Sequence, residues 1–439
     1  MLSIFSSDSS RFDSACFAML MTRLGRLRKS DAAAAKRDER YLALLAVLPS
    51  IIQESDSKSI AHISNALAKL NERRAHPIMA AVENRAITFV ESGEPQHLAV
   101  TALAFAKLRF DAPYLFSAIN ARADWLVSNS KHPQAIASTA WAFATLRRDA
   151  PALFAAIDGR ADWLANGCTA SALSDTAWAF ATLRVDAPAI FRAIDARADK
   201  LVEECDPQQI SNTAVAFAEL DFDAPHFWTC LERRSEAFAA EATPQATCTT
   251  AWALAISGRA STNSELLRVL WDKAMAAGDS LKSWSLNQLV QVGLHAAGER
   301  TNLRSPPELQ QRMLRSAADT HDQANTEFED HVARHLTEMG VEYKREFPPF
   351  GTTKFSRLHS VDFALAASDG TKTAIECDGP FHFLHGRIEK GTGRETGRTV
   401  AKRRLLERKG WRVINLPWFE RRRLEKEGKL QEWLSSAIN

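Results

Sequence analysis

Long apolar runs are missing from this sequence: no stretch of about 18 apolar residues occurs, which excludes a membrane-spanning helix. Paired cysteines are missing too. Cys16, Cys168, Cys205, Cys230, Cys248 and Cys377 are scattered, with no Cys-x-x-Cys pair and no histidine spacing expected to suit zinc. They read as reduced, buried thiols in a reducing compartment. Aromatic residues make up only 8% against 46% hydrophobic. The remainder is rich in alanine and leucine, a composition of packed helices rather than of a sandwich or barrel. Nor does one sign of charge dominate, the net being +2. The balance is uneven, however. Residues 101–300 hold 18 Lys and Arg against 22 Asp and Glu, whereas residues 341–439 hold 20 against 13. A basic C-terminal module suggests contact with phosphates, while the mildly acidic middle argues against gripping nucleic acid by charge alone.

What is abundant is repetition. TAWAFATL stands at 139–146 and again at 176–183, with relatives TALAFAKL at 101–108, TAVAFAEL at 213–220 and TAWALAIS at 250–257. The bulky anchors Leu103, Trp141, Trp178, Val215 and Trp252 are 38, 37, 37 and 37 residues apart. The period extends back to Asn65 and forward to Leu289, giving about seven units with weaker ends. Each unit reads as two helices. Helix A opens near Pro133-Gln134 or Pro207-Gln208, and helix B follows an Asp-Ala-Pro turn at 111–113, 149–151, 186–188 and 223–225. The Asp is expected to cap helix B, with Pro in its first turn. Units that cannot bury their apolar face alone must stack, so the expected fold is mainly α: a right-handed α-solenoid followed by a small α/β domain.

Within this frame the residue three before the anchor varies: Val100, Ser138, Asp175, Asn212, Thr249. So does the residue four after it: Lys107, Thr145, Thr182, Glu219, Ile256. Being seven apart, the two positions share one stripe of helix A. Ser138, Asp175, Asn212, Thr249, Thr145 and Thr182 are therefore candidates for contacting unstacked RNA bases, one unit at a time. Solvated positions free to drift give the same pattern, and the anchor tryptophans suit either base stacking or core packing. Arg122, Arg160, Arg197 and Arg234, fixed in helix B, suit phosphate contact or, better, pairing with the adjacent Asp124, Asp162 and Asp199 or with the next unit. The period and the AWAFA-like core over roughly residues 60–300 resemble the octotricopeptide and heptatricopeptide repeats of organellar RNA-processing proteins.

Four segments are expected: a leader or helical cap (1–54), the repeats (55–304), a linker with Ser305-Pro306-Pro307 (305–325) and a C-terminal domain (326–439). The leader is Ser-rich with Arg23, Arg26, Arg28 and Lys29, as targeting segments are, but Asp8 and Asp13 fit that poorly. In the C-terminal domain a helix, Glu327 to Glu338, precedes a strand around Val341, Tyr343 and Phe347. SVDFALAA (360–367) and KTAIECDGP (372–380) read as strands joined by Ser368-Asp369-Gly370. A basic helix (399–409), a strand WRVINLPW (411–418) and a charged helical end complete it.

The chemistry falls on the two central strands. Asp362 sits on one, and Glu376 and Asp378 alternate on the next, pointing to one face. Three carboxylates at strand ends, with Glu329 as a fourth, are a ligand set for Mg²⁺ or Mn²⁺, which would activate water against a phosphodiester. His382 suits acid–base work or phosphate contact. Lys402, Arg403 and Arg404 on the basic helix suit phosphate. The bland alternative is that Asp378 caps a turn and Glu376 pairs with a base of the helix above it.

The stretch VDFALAA…AIECDGPFHF…TVAKRRLLERKGWRVINLPWFE closely resembles the RAP domain of FAST kinase-like and other organellar RNA-processing proteins, over about residues 340–420. RAP domains resemble the Vsr-like branch of PD-(D/E)XK nucleases. The resemblance implies a restriction-endonuclease-like fold, with Asp362 as the first motif Asp and Glu376 as the second carboxylate. The motif lysine two residues on is absent, its place taken by Asp378, so cleavage would require Lys402 or His382 to substitute. The resemblance implies a protein of RNA processing, stability or ribosome assembly, located in mitochondrion or plastid if the source is eukaryotic and otherwise in the cytoplasm. Three readings stay open: a metal-dependent RNA endonuclease, an inactive RNA clamp or chaperone, and a protein-binding solenoid whose RAP domain alone touches RNA.

Overall fold

The computed structural model describes residues 12–296, 303–318, 327–350, 360–366, 370–385 and 393–439. The tip of the expected leader (1–11), the linker beyond 318 and the turn residues Ser368 and Asp369 lie outside them. The chain is 71% helical, and the described residues form 26 α-helices and a four-stranded sheet. Two compact units divide it: Met1–Leu183 with Ala187–Arg197, and Arg184–Asp186 with Ala198–Asn439.

The first unit runs through α1 (Ser14–Leu24), α2 (Lys29–Ala35), α3 (Glu39–Glu54), α4 (Ser57–Leu70), α5 (His76–Asn84), α6 (Ala86–Ser92), α7 (Pro95–Leu108), α8 (Pro113–Ala121), α9 (Ala123–Asn129), α10 (Pro133–Thr145), α11 (Pro151–Asp158), α12 (Ala161–Gly167), α13 (Ala170–Thr182) and α14 (Pro188–Asp195). The A helices α4, α7, α10 and α13 pack in series, and the shorter helices form a second layer. Alanines permit this close approach, and two of the invariant threonines explain themselves. Thr139 and Thr176 are buried and donate to the carbonyls four residues back, at 2.8 and 2.7 Å. Phe116 on Phe143 and Phe154 on Phe180 fill the space between layers edge to face.

Two expectations need correction. Helix B is not one helix but two, broken at a single arginine: α8 and α9 part at Arg122, and α11 and α12 at Gly159-Arg160. The cause is long-range. At the break, Arg122 donates to the Glu91 carbonyl at 2.9 Å and lies over the Trp125 ring. Arg160 donates to the Val127 and Ser128 carbonyls at 2.5 and 3.4 Å and lies over Trp163. Each arginine thus satisfies the open C-terminal carbonyls of the preceding repeat. Replacing Arg160 by Ala is expected to cost about 2–3 kcal/mol, the loss of charged hydrogen bonds to carbonyls and of a cation–π contact. Lysine should restore less than half, lacking the forked donor. An unchanged urea midpoint for Arg160→Ala would contradict this role.

The second correction concerns the cap. The N-cap residue is Ala112 or Ala150, with no side-chain bond, not the Asp before it. That Asp reaches forward instead, Asp111 pairing with Arg148 one repeat on. The exposed N–H groups of the second-layer helices are taken by the previous repeat: Glu83 accepts from Tyr114 and Leu115, Asn120 from Leu153, and Asp158 from Ile190. Capping and arginine contacts therefore both run between units, which ties each repeat to its neighbour.

The second unit repeats the pattern through α15 (Ala198–Glu204), α16 (Pro207–Glu219), α17 (Pro225–Arg233), α18 (Ser235–Glu241), α19 (Pro244–Ile256), α20 (Ser264–Ala277), α21 (Ser283–Ala296) and α22 (Pro307–Ala318). Asp206 and Gln209 form a capping box on α16. Six successive A helices end on a left-handed residue in register: Asn71, Arg109 and Arg147 in the first unit, Arg184, Asp221 and Gly258 in the second, each with φ between 47° and 71°.

The α/β domain follows: α23 (Glu327–Glu338), β1 (Lys344–Phe347), β2 (Val361–Ala366), β3 (Lys372–Asp378), α24 (Gly397–Arg408), β4 (Trp411–Pro417), α25 (Trp418–Lys426) and α26 (Leu430–Ile438). The sheet order is β1-β2-β3-β4, antiparallel until the parallel β3–β4 pair, which α24 connects. Ile375 and Cys377 turn to a core with Val332, Leu336, Phe363, Leu416 and Leu434. The alternate residues Ala374, Glu376 and Asp378 turn the other way, toward α24.

Candidate functional site

On the α24 side of the sheet, Asp362 and Glu376 stand opposite each other by strand register, and Asn415 of β4 pairs across from Glu376. One turn into α24, Lys402 donates to Glu376 Oε2 at 2.6 Å. Asp378 is held on both oxygens, by Asn415 Nδ2 at 2.6 Å and by His382 Nδ1 at 3.0 Å. His382 also meets Thr399 Oγ1 at 3.2 Å. Asp362 accepts the Cys377 N–H at 2.6 Å. Glu376 and Asp378 are almost fully buried. Burial pushes the Glu376 carboxyl up to about 8 against the pull of Lys402, and pushes Asp362 up to about 6. The surrounding carboxylates, Glu376 foremost, hold Lys402 above its ordinary range despite its own burial. Glu376 Oε1 is buried with no hydrogen-bond partner among the described residues.

These groups open on a cavity of about 180 Å³ lined by Glu376, Asp378, His382, Thr399, Lys402 and Asn415, with Ile256 and Gln291 of the repeat helices opposite. That is below the roughly 300 Å³ at which small-molecule pockets begin. The cavity is narrow because α24 docks on the A helices α16, α19 and α21 of its own unit. Gly397 makes the approach feasible: a Cβ there would strike the Ala218 carbonyl. Arg394 bonds Asp186 and the Asp221 carbonyl, Arg398 bonds Glu219, Arg404 the Ile256 carbonyl at 2.6 Å, and Arg408 the His295 carbonyl at 2.7 Å.

The structure thus brings together Glu376, Asp378, His382 and Lys402, with Asp362 alongside. Glu329 lies 3.7 Å from Arg345 and close enough to Asp362 and Cys377 for its charge to raise the pKa of both. Arg403, still 32% exposed and lining the cavity, pairs with Glu395 at 2.7 Å, and Arg404 lies against Gly258. As for a divalent cation, oxygen-rich chemistry suits Mg²⁺, but Lys402 and Asn415 now occupy one oxygen each of Glu376 and Asp378. Among the described residues, the one trio of potential ligands with all donor atoms within 4.8 Å of one another is Asp199, His226 and Cys230, not the sheet carboxylates. Sequence reasoning missed Asn415, Thr399, Gln291 and Ile256. Asn415 alone carried a signal, as the one polar side chain with an amide inside the WRVINLPW strand.

The repeat stripe takes two forms. In the first unit Ser138, Trp141 and Thr145 on α10, and Asp175, Trp178 and Thr182 on α13, are all partly exposed, although the Thr145 hydroxyl itself is buried. The Trp141 and Trp178 rings are neighbours, 6.3 Å apart. In the second unit the equivalent positions are engaged by protein. Asn212 accepts from Gln208, Glu219 holds Arg398, and Thr249 donates to Gln288. Trp252 is buried, donates to Gln291 and carries Arg398 over its ring. No helix among the described residues is long and apolar enough to cross a membrane.

Comparison with known families gives two matches. Residues 36–316, well over half of the chain, match the family model of the RNA-editing substrate-binding complex 6 protein. Residues 375–433 match the RAP domain.

Proposed function

Since the chain belongs to the RNA-editing substrate-binding complex 6 protein family and ends in a RAP domain, we propose that it is an RNA-binding protein of RNA processing that holds RNA without cutting it. The observation that carries RNA binding is the half-exposed stripe of α10 and α13. Two adjacent indoles there are flanked at helical spacing by Ser138, Asp175 and Thr182. Aromatic faces stack on any base, and small polar groups reach base edges. Such a stripe selects single-stranded RNA and needs little positive charge, in keeping with the acidic middle of the sequence. Organellar RNA and further proteins of an RNA-processing assembly are the partners this reading implies.

Holding rather than cleaving is supported by the RAP carboxylates, which are already neutralised or bonded by Lys402, Asn415, His382 and the Cys377 N–H. The cavity before them is too small for a nucleotide. One observation favours the second reading, a Mg²⁺- or Mn²⁺-dependent endonuclease: Glu376 Oε1 is buried without a partner beside Lys402 and His382. In that reading Asp362, Glu376 and Asp378 hold the metal and Lys402 stands in for the missing motif lysine. The test is incubation of the protein with labelled RNAs and Mg²⁺ or Mn²⁺, beside a variant with Asp362, Glu376 and Asp378 changed to Ala. Binding without cleavage by the parent is expected. Cleavage by the parent that the variant loses while still binding would establish the nuclease instead.

A further inference from the structure

The second unit holds a side-chain cluster that neither RNA binding nor the RAP domain uses. Asp199, in the first turn of α15, faces His226 and Cys230 on α17 of the next repeat. Asp199 Oδ2 lies 3.1 Å from His226 Nε2, and Oδ1 lies 3.0 Å from Cys230 Sγ, all three donors falling within 4.8 Å of one another. His226 and Cys230 are four apart on one helix, so their side chains project from the same face. The sulfur is buried, whereas the Asp and His side chains are 66% and 45% exposed, which leaves an entry path.

The repeats supply an internal control. The frame aspartate recurs as Asp124 and Asp162, but the two α17 positions are Ala152 and Ala156, then Ala189 and Ala193, in the preceding repeats. Only at this junction does the frame exchange two alanines for an imidazole and a thiol. Neither exchange is needed for packing, since alanine serves at both other junctions that carry the aspartate.

We propose that Asp199, His226 and Cys230 form a zinc-type metal site that staples two successive repeats together. One thiolate, one imidazole and one carboxylate are the mixed donor set that Zn²⁺ accepts tetrahedrally, at about 2.0–2.3 Å each, with water as the fourth ligand. Binding displaces the thiol proton, and the ion replaces the Asp–His and Asp–Cys hydrogen bonds with stronger bridges between α15 and α17. The isolated cysteines excluded a zinc finger from the sequence alone. The site arises because the fold brings a distant aspartate to a His-x-x-x-Cys pair.

The experiment is a Co²⁺ titration of the full chain, followed by the thiolate-to-cobalt charge-transfer absorption and by competition with Zn²⁺. One equivalent of Co²⁺ developing that band, displaced by Zn²⁺, is expected, together with a rise in melting temperature on adding Zn²⁺. Cys230→Ala should abolish the band, and His226→Ala should weaken binding by more than about tenfold. Both variants restore the alanines of the neighbouring repeats and so should fold, as circular dichroism would check. A parent that shows no charge-transfer band would overturn the proposal. So would a band that survives Cys230→Ala and disappears with Cys16→Ser, the exposed thiol elsewhere.

Discussion

Replacing Lys402 by Met is expected to destabilise the second unit by about 3–5 kcal/mol near pH 8 and by clearly less near pH 5. The magnitude follows from removing one partner of a buried ion pair, which strands the other charge. Here the stranded groups are Glu376, bonded at 2.6 Å, and the neighbouring Asp362 and Asp378. The pH dependence follows from the direction of the carboxyl shifts. Asp362 and Glu376 sit at about 6 and about 8 in the folded chain, above their unfolded values near 4. Groups raised in the folded state contribute stability that is complete below the unfolded pKa and lost as pH rises through the folded one. These two therefore already weaken the parent between about pH 4 and pH 8. Without Lys402 their shifts grow, so the loss steepens over the same window and extends above it. Glu376→Gln added to Lys402→Met should recover much of the loss, because an amide needs no counter-charge. The check is the urea midpoint of the three proteins at both pH values. An equal loss at pH 5 and pH 8 would mean that Lys402 matters for its packing and not for its charge.

That pair also shows how much of the site the sequence made legible. The alternation of Glu376 and Asp378, the position of Asp362 and the basic helix were readable because strand period and helix pattern are local properties. Pairing of Glu376 with a base from the helix above was among the sequence readings, and Lys402 is that base. Closure of the site was not readable. Ile256 and Gln291 come from repeat helices more than 80 residues away in sequence, and their arrival depends on Gly397 and four arginines of the C-terminal domain.

The repeats tell the same story. Their period, their helix A and even the invariant threonines could be read, since each unit repeats one local solution. The break within helix B could not. Arg-Ala-Asp is a good helical sequence, and only the carbonyls of the preceding repeat make Arg122 and Arg160 a better fit at a kink. The cap failed for the same reason: Glu83, Asn120 and Asp158 reach the next unit's N–H groups from about 30 residues away and displace the local Asp.

Trp141 and Trp178 against Trp252 carry this to function, since one repeat position has two environments. Changing both Trp141 and Trp178 to Ala is expected to weaken binding of single-stranded RNA on the order of a hundredfold or more, at about 1–3 kcal/mol per stacked base. Each single change should lose roughly the square root of that. Phe at both positions should keep most of the affinity, because a smaller ring still stacks. The dependence of affinity on salt should not change, since stacking releases no counterions. Trp252→Phe is expected to do the reverse. It removes the donor to Gln291 and disturbs the seat of Arg398, lowering stability while leaving RNA affinity near the parent value. Fluorescence anisotropy with labelled RNA, alongside thermal unfolding, separates the outcomes. If the Trp141 and Trp178 double variant folds and binds RNA as the parent does, the stripe is core packing and RNA must be held elsewhere. If Trp252→Phe loses as much affinity as the double variant, binding depends on the docked C-terminal domain instead of on the open stripe of α10 and α13.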